Sequence, residues 1–166
     1  MDIVDVAVAA NADDPTWSSN AMYFGFRNYM SLWQKLGFTN KMTRERLARF
    51  VARCASDAKT LDIGCGGAPY AKYFPNRVGF DHAAGPDVDV VGDAHHLPFQ
   101  DGEFERILCT EVLEHLLDPA KAIAEMRRVL QPGGMLILTT GFVFPLHDAP
   151  HDYWRFTRYG LEHLFR

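Results

Sequence analysis

The sequence predicts an open α/β fold with a mostly parallel sheet, on three observations. Short apolar runs alternate with helical segments from Thr60 onward, and such alternation implies parallel strands joined by right-handed crossovers. The runs are continuously apolar rather than alternating, as in strands covered on both faces. Several runs end in glycine or an acid, the residues expected where strand tips meet a ligand.

The elements follow in order. Residues 1–18 read as a loose acidic leader, and residues 19–166 as one domain. Ala21 to Leu36 reads as an aromatic-rich helix, stopped by Gly37. A second helix is expected at Thr43 to Ala55, with Thr43 as N-cap and Leu47, Phe50, Val51 and Cys54 at helical spacing. Five strands are expected: Thr60 to Ile63, Arg77 to Phe80, Val88 to Val91, Phe104 to Cys109 and Met135 to Thr140. A short helix at Ala68 to Phe74 separates the first two. Asp118-Pro119 opens a longer one, by N-cap and first-turn proline, which Pro132-Gly133-Gly134 ends. Thr157 to Phe165 reads as the last helix.

Composition excludes several classes. The 166 residues carry a formal charge of −4, with no basic surplus to hold nucleic acid. No apolar run approaches the ~20 residues of a membrane span. The opening stretch lacks a basic region and is broken by Asp2 and Asp5, so it is a poor signal peptide. Three cysteines, Cys54, Cys65 and Cys109, do not form a disulfide framework. The expectation is a cytoplasmic chain with reduced thiols.

The chemistry concentrates at strand ends. Leu61-Asp62-Ile63-Gly64-Cys65-Gly66-Gly67 follows the first strand, and its glycines allow a sharp turn and close ligand approach. Asp81 ends the second strand and offers two acceptor oxygens to a ribose diol. Gly92-Asp93-Ala94 ends the third, where a carboxylate and backbone N–H suit an adenine edge. Together these describe an adenosine site. Pro69 stands where a dinucleotide fingerprint needs its third glycine. Asp62 would repel a diphosphate but attract a sulfonium or ammonium group. A nicotinamide-dependent oxidoreductase is therefore disfavoured, and a cationic amino-acid cofactor is favoured.

The stretches LDIGCGGAPY, VGDAHHLPFQDGEFERILCTEVLEHLLDP and RVLQPGGMLILTT resemble the class I S-adenosylmethionine-dependent methyltransferases, and among them the type 11 methyltransferase family. The resemblance implies a Rossmann-like doubly wound sheet of about five strands in the order 3-2-1-4-5, with N-terminal helices. It implies S-adenosyl-L-methionine as cofactor. Asp62, Gly64 and Gly66 would surround its methionine part, Asp81 its ribose, and Asp93 with Ala94 its adenine. Thr110 and Glu111 would lie beside the sulfonium, with His115 one turn further on. Ala68 departs from the family's third glycine.

The segment after the fifth strand, Gly141 to Thr157, holds two His, two Asp, an Arg and several aromatics. It resembles a family segment that lies over the acceptor pocket. His147, His151 and Asp152 are the candidates for base or orienting group, and Tyr153 and Arg155 for acceptor contacts. The His147–His151 spacing suits metal only on a helix, which Pro150 opposes, so no metal is expected. The function expected is methyl transfer to a small-molecule hydroxyl. The alternative is a cofactor-binding, catalytically silent regulatory or partner module. Family members usually add two closing strands, and here the chain ends at Arg166. Strand Met135 to Thr139 would then be a bare edge that favours self-association. A fragment, a paired edge and a minimal variant are the three explanations.

Overall fold

The computed structural model describes residues 3–9 and 38–166. The expected helix Ala21 to Leu36 lies outside them. One six-stranded sheet organises the chain, made of β1 (Ile3–Ala9), β2 (Thr60–Ile63), β3 (Arg77–Asp81), β4 (Val90–Val91), β5 (Phe104–Thr110) and β6 (Leu130–Gly141). The spatial order is β1-β6-β5-β2-β3-β4. The last five strands are mutually parallel and reproduce the 3-2-1-4-5 order.

The N-terminus departs from expectation. Residues 3–9 are not a loose leader but a strand antiparallel to β6, in register from Ile3 opposite Gly141 to Ala9 opposite Met135. Ile3 to Ala9 is rich in β-branched residues, which favour strands. Strand β6 is therefore not a bare edge, and that ground for self-association is removed.

Both faces of the sheet are covered. Helix α1 (Phe38–Arg53) lays Leu47, Phe50 and Val51 against Leu108 and Ile137, with Phe74 beside them. It begins upstream of Thr43, so Thr43 is not its N-cap. Helix α2 (Pro119–Val129) and helix α3 (Arg158–Leu164) cover the other face. There Ile123, Met126 and Leu161 join Leu61, Ile63, Ile107, Cys109, Leu136 and Leu138 in one buried cluster. Neighbouring strand residues pack on opposite faces, the period of two that a pleated strand imposes. This explains why the strands read as unbroken apolar runs.

Local signals set the helix starts. Asp118 accepts from Lys121 N at 3.0 Å, and Thr157 accepts from Gly160 N at 3.1 Å, each an N-cap that typically contributes about 1 kcal/mol. The expected helix at Ala68 to Phe74 is only a 3₁₀ turn, Ala71–Tyr73. A second 3₁₀ turn, Leu113–His115, follows β5. No described helix is long and apolar enough to cross a membrane.

Deleting residues 1–9 uncovers the β6 backbone. Sedimentation velocity should show the truncated chain shifting toward dimers and larger species relative to the full chain, with thermal stability reduced. An unchanged sedimentation profile would mean that β1 does not protect this edge.

Candidate functional site

The tips of β2, β3 and β5 meet at a glycine turn. Gly64 has φ +68°, and a Cβ there would stand 2.2 Å from Val112 Cγ2. Backbone conformation and space both exclude a side chain. Gly64 N and Cys65 N donate to the Phe80 carbonyl at 2.8 and 3.2 Å. Gly66 N donates to Asp81 Oδ2 at 2.9 Å. The turn is thus pinned to the end of β3, with its backbone facing the open end of the sheet.

Asp81 is nearly buried. Its Oδ1 lies 2.8 Å from Nδ1 of the exposed His82 and accepts from Ala83 N at 3.3 Å, and its carbonyl accepts from Gly92 N at 2.9 Å. The tips of β3 and β4 are so joined. Just beyond β4, Asp93 is exposed. Its Oδ1 accepts from His95 N at 2.9 Å and pairs with His95 Nδ1 at 2.5 Å. The His95 amide, foremost, holds the Asp93 carboxyl below the usual carboxylate range. His95 Nε2 accepts from Asp118 N at 3.1 Å, so the ring bridges Asp93 to the start of α2. These partners assign the Nδ1–H tautomer. Ala94 is buried in the main core.

Asp62 is buried within β2. Burial is the largest influence on it and raises its pKa to about 6, against a lowering by Arg77 and a further rise from Asp81. Arg77 Nη1 stands 3.6 Å from Asp62 Oδ2. That nitrogen is itself buried without a hydrogen bond, while Nη2 donates to the Asp87 carbonyl at 2.8 Å. Gly79 makes room for this arginine: a Cβ there would lie 2.4 Å from Arg77 Nη1. Desolvation outweighs the pair because 3.6 Å without a hydrogen bond is weak compensation for a buried charge. The sequence reading did not find Arg77. It lies fifteen residues beyond Asp62 and meets it only because Thr60 pairs with Arg77 in the sheet.

Thr110 closes β5, and Glu111 follows in a left-handed conformation with φ 55°. Such backbone is costly for a side-chain-bearing residue and concentrates at functional positions. Glu111 is fixed by two bonds to one residue of β6: its N–H donates to the Thr139 carbonyl at 2.9 Å, and its Oε1 accepts from Thr139 Oγ1 at 2.8 Å. Glu114 follows in the 3₁₀ turn and is fully buried. It accepts from Thr140 Oγ1 at 2.7 Å and from Gly141 N at 3.5 Å. Burial first, and then the fields of Glu114, Asp62 and Glu111, push the Cys109 thiol up. The strand tips are therefore electronegative, and Cys109 is no nucleophile. Sequence reading missed Glu114, which carries no local signal beyond lying next to His115.

The segment after β6 folds back onto this turn. Tyr153 N and Trp154 N donate to the Glu114 carbonyl at 2.9 and 3.2 Å. Trp154 Nε1 donates to the Leu116 carbonyl at 2.9 Å. His115 does not lie along a helix from Glu111; its Nδ1 is 2.6 Å from the His151 carbonyl. Its ring packs edge-on to His147, centroids 4.7 Å apart. His147 Nδ1 lies 3.2 Å from Asp152 Oδ2 and 3.2 Å from the Pro145 carbonyl, and its N–H donates to Asp152 Oδ2 at 2.9 Å.

Asp152 has a side chain only 1% exposed, gripped by Arg155 at 2.5 and 2.7 Å. The bidentate guanidinium, first, holds the Asp152 carboxyl far below the usual range. Asp152 is thereby fixed beside His147. His151 stands apart from His147, with Nδ1 2.8 Å from Tyr153 Oη. Arg155 spends its N–H groups on Asp152 and on the carbonyls of Phe144, Pro145 and Trp154.

Residues 61–138 match the family described as "Methyltransferase domain". A demethylmenaquinone methyltransferase of Renibacterium salmoninarum is 35% identical over 94 residues, covering 48% of this chain and 40% of that relative. A ubiquinone biosynthesis O-methyltransferase of Thiobacillus denitrificans is 28% identical over 102 residues, covering 49% of this chain and 44% of the relative. The chain thus spans less than half the length of these relatives. A crystal structure from Thermotoga maritima, titled an SAM-dependent methyltransferase and possible histamine N-methyltransferase, shares the fold. It has a TM-score of 0.58 and 22% identity, covering 81% of this chain and 79% of that one. The strand order and the glycine turn at the tip of β2 agree with this methyltransferase-domain match over residues 61–138.

Proposed function

We propose that this chain transfers the methyl group of S-adenosylmethionine to a hydroxyl oxygen of a small-molecule acceptor. One observation carries the cofactor side: bare backbone at the Gly64–Gly66 turn is ringed by the carboxylates of Asp62, Asp81 and Glu111. This donor set fits a cationic adenosyl amino acid and not a diphosphate, which would meet repulsion from each acid. Asp62 would hold the methionine ammonium, and the Gly64 and Gly66 backbone its carboxylate. Asp81 keeps acceptor capacity on Oδ2 for a ribose hydroxyl, and Asp93 with Ala94 receives the adenine. Thr110 and Glu111 would border the sulfonium.

The bound cofactor supplies a methyl group on a positively charged sulfur, open to in-line attack by an oxygen lone pair. The protein's part is to align the acceptor, exclude water and take its proton. The segment after β6 serves this side. Phe144, Tyr153 and Trp154 form its apolar wall. The acceptor hydroxyl gives up its proton at the cluster of Glu114, His115 and His147, where Asp152 and Arg155 keep His147 oriented. His151 and Tyr153 stand at the rim. The O-methyltransferase among the relatives supports oxygen as the methyl acceptor.

Calorimetry with S-adenosylmethionine should give one site per chain, and S-adenosylhomocysteine should accumulate with a member of a hydroxylated-metabolite panel. Binding without turnover on any acceptor would favour a silent module. Asp81→Ala should weaken cofactor binding by roughly ten- to hundredfold, the usual loss of a hydrogen bond to a charged group, with the fold intact by circular dichroism.

Asp62 gives a signed pH dependence. Its folded pKa stands above the ordinary 3.8, at about 6. Its contribution to stability is therefore complete at low pH and lost as pH rises from about 4 to 6, by at most about 3 kcal/mol at 1.36 kcal/mol per unit. Asp62→Asn should remove this loss in urea titrations at pH 4 and pH 7. Cofactor affinity should run the opposite way, rising up to about pH 6 as Asp62 ionises. An equally steep rise of affinity in the Asn variant would clear Asp62 of the cofactor role, and an unchanged loss of stability between pH 4 and pH 7 would clear it of the other.

A further inference from the structure

We infer that Glu114, His115 and His147 form a binding site for one divalent transition-metal ion. One ligand atom from each of the three lies within 4.8 Å of the others. A tetrahedral metal at about 2.0–2.2 Å holds its donors roughly 3.3–3.6 Å apart, so side-chain rotations draw these atoms inward by up to about 1.5 Å when the ion binds.

The hydrogen bonds around the cluster are those a metal site requires. A ligating histidine gives its second ring N–H to a carboxylate or carbonyl, which fixes its tautomer and orientation. His115 has Nδ1 on the His151 carbonyl at 2.6 Å. His147 has Nδ1 between Asp152 Oδ2 and the Pro145 carbonyl. Only acceptors face these nitrogens, so each carries the hydrogen and each Nε2 keeps a lone pair to give. Asp152 is in turn locked by Arg155, which makes it a rigid support for His147.

Glu114 supplies the charge. Its side chain is fully buried. Among the described residues it has no salt bridge within 4.0 Å, only a hydroxyl at 2.7 Å and a long amide contact at 3.5 Å. Arg155 acts on it through space, but its own N–H groups are committed elsewhere. A buried carboxylate with so little compensation is costly unless a cation joins it, and each of its oxygens retains a lone pair.

Two imidazoles and one carboxylate suit Zn²⁺, Mn²⁺, Fe²⁺ or Co²⁺ better than Mg²⁺ or Ca²⁺, which prefer all-oxygen sites. Three protein ligands leave a position open, the pattern of catalytic rather than structural sites. In the metal-free chain these groups are free to take the acceptor's proton; with a cation bound their lone pairs are committed, and the cation would instead lower the pKa of an acceptor hydroxyl that bound it, the released proton passing to water. That role rests on the methyl-transfer reading above; the metal site itself does not.

The test uses the full chain, stripped with chelator and loaded with Zn²⁺ or Co²⁺. Gel filtration and elemental analysis should find one equivalent of Zn²⁺ per chain, and Co²⁺ should develop visible absorption bands of a nitrogen–oxygen site. His115→Ala and His147→Ala should each weaken Zn²⁺ binding by about 100-fold or more. Asp152→Asn should weaken it by about 10–100-fold through the orientation of His147, and His163→Ala on α3 should leave it unchanged. Substoichiometric Zn²⁺ in the wild-type chain, or full binding in both histidine variants, overturns the site. Glu114→Gln tests the charge, with circular dichroism reporting whether it folds. Calorimetry with S-adenosylmethionine on the metal-free chain separates the readings: cofactor binding without metal binding removes the metal alone, and failure of cofactor binding removes the methyl-transfer reading.

Discussion

Strands β2 and β5 approach so closely at their tips that no side chain fits between them. Gly64 turns with positive φ against Val112, and the rest of the site is arranged around that contact. On one side it sends the chain from β2 through Gly66 toward Asp81. On the other it fixes the path of residues 110–115, which bear Glu111, Glu114 and His115. An alanine at 64 would need to displace Val112 and adopt strained backbone as well. The glycine turn is the joint that lets two neighbouring strands present their ends to one place.

Around that joint the chain collects negative charge at a cost to its own stability. Asp62 is buried with only a long contact to Arg77, and its raised pKa is the measure of that cost. Glu111 holds a left-handed backbone with two bonds to Thr139. Glu114 is fully buried with little compensation. Stable domains seldom keep unneutralised carboxylates at strand tips without use for them. A cationic cofactor at Asp62 and a cation beside Glu114 would offset what folding alone leaves exposed to repulsion and desolvation.

The segment after β6 works by being tied down. Its backbone binds the Glu114 carbonyl, Trp154 reaches Leu116, and Arg155 grips Asp152. These bonds convert a loop into a wall with a fixed face. His147 gains a defined tautomer from this, which a histidine on a loose loop would lack. The same ties separate His147 from His151, so two residues close in sequence take different partners.

Much of this was legible in the residues themselves. The strand–helix alternation, the glycine turn, and the acids Asp62, Asp81 and Asp93 at strand ends follow from local periodicity and turn chemistry, which the chain carries wherever it folds. What the tertiary structure decided involves partners far apart in sequence. Ile3 to Ala9 had the composition of a strand, but only the unpaired side of β6 gave it a place. Asp62 meets Arg77 through strand register, and Glu114 and His115 meet His147 because the segment after β6 returns over the turn after β5. Asp152 takes Arg155 and His147 as partners, which the local sequence does not reveal. Periodicity fixes which face of a strand is buried; it says nothing of which distant side chain arrives to neutralise a charge, because that depends on how the layers pack.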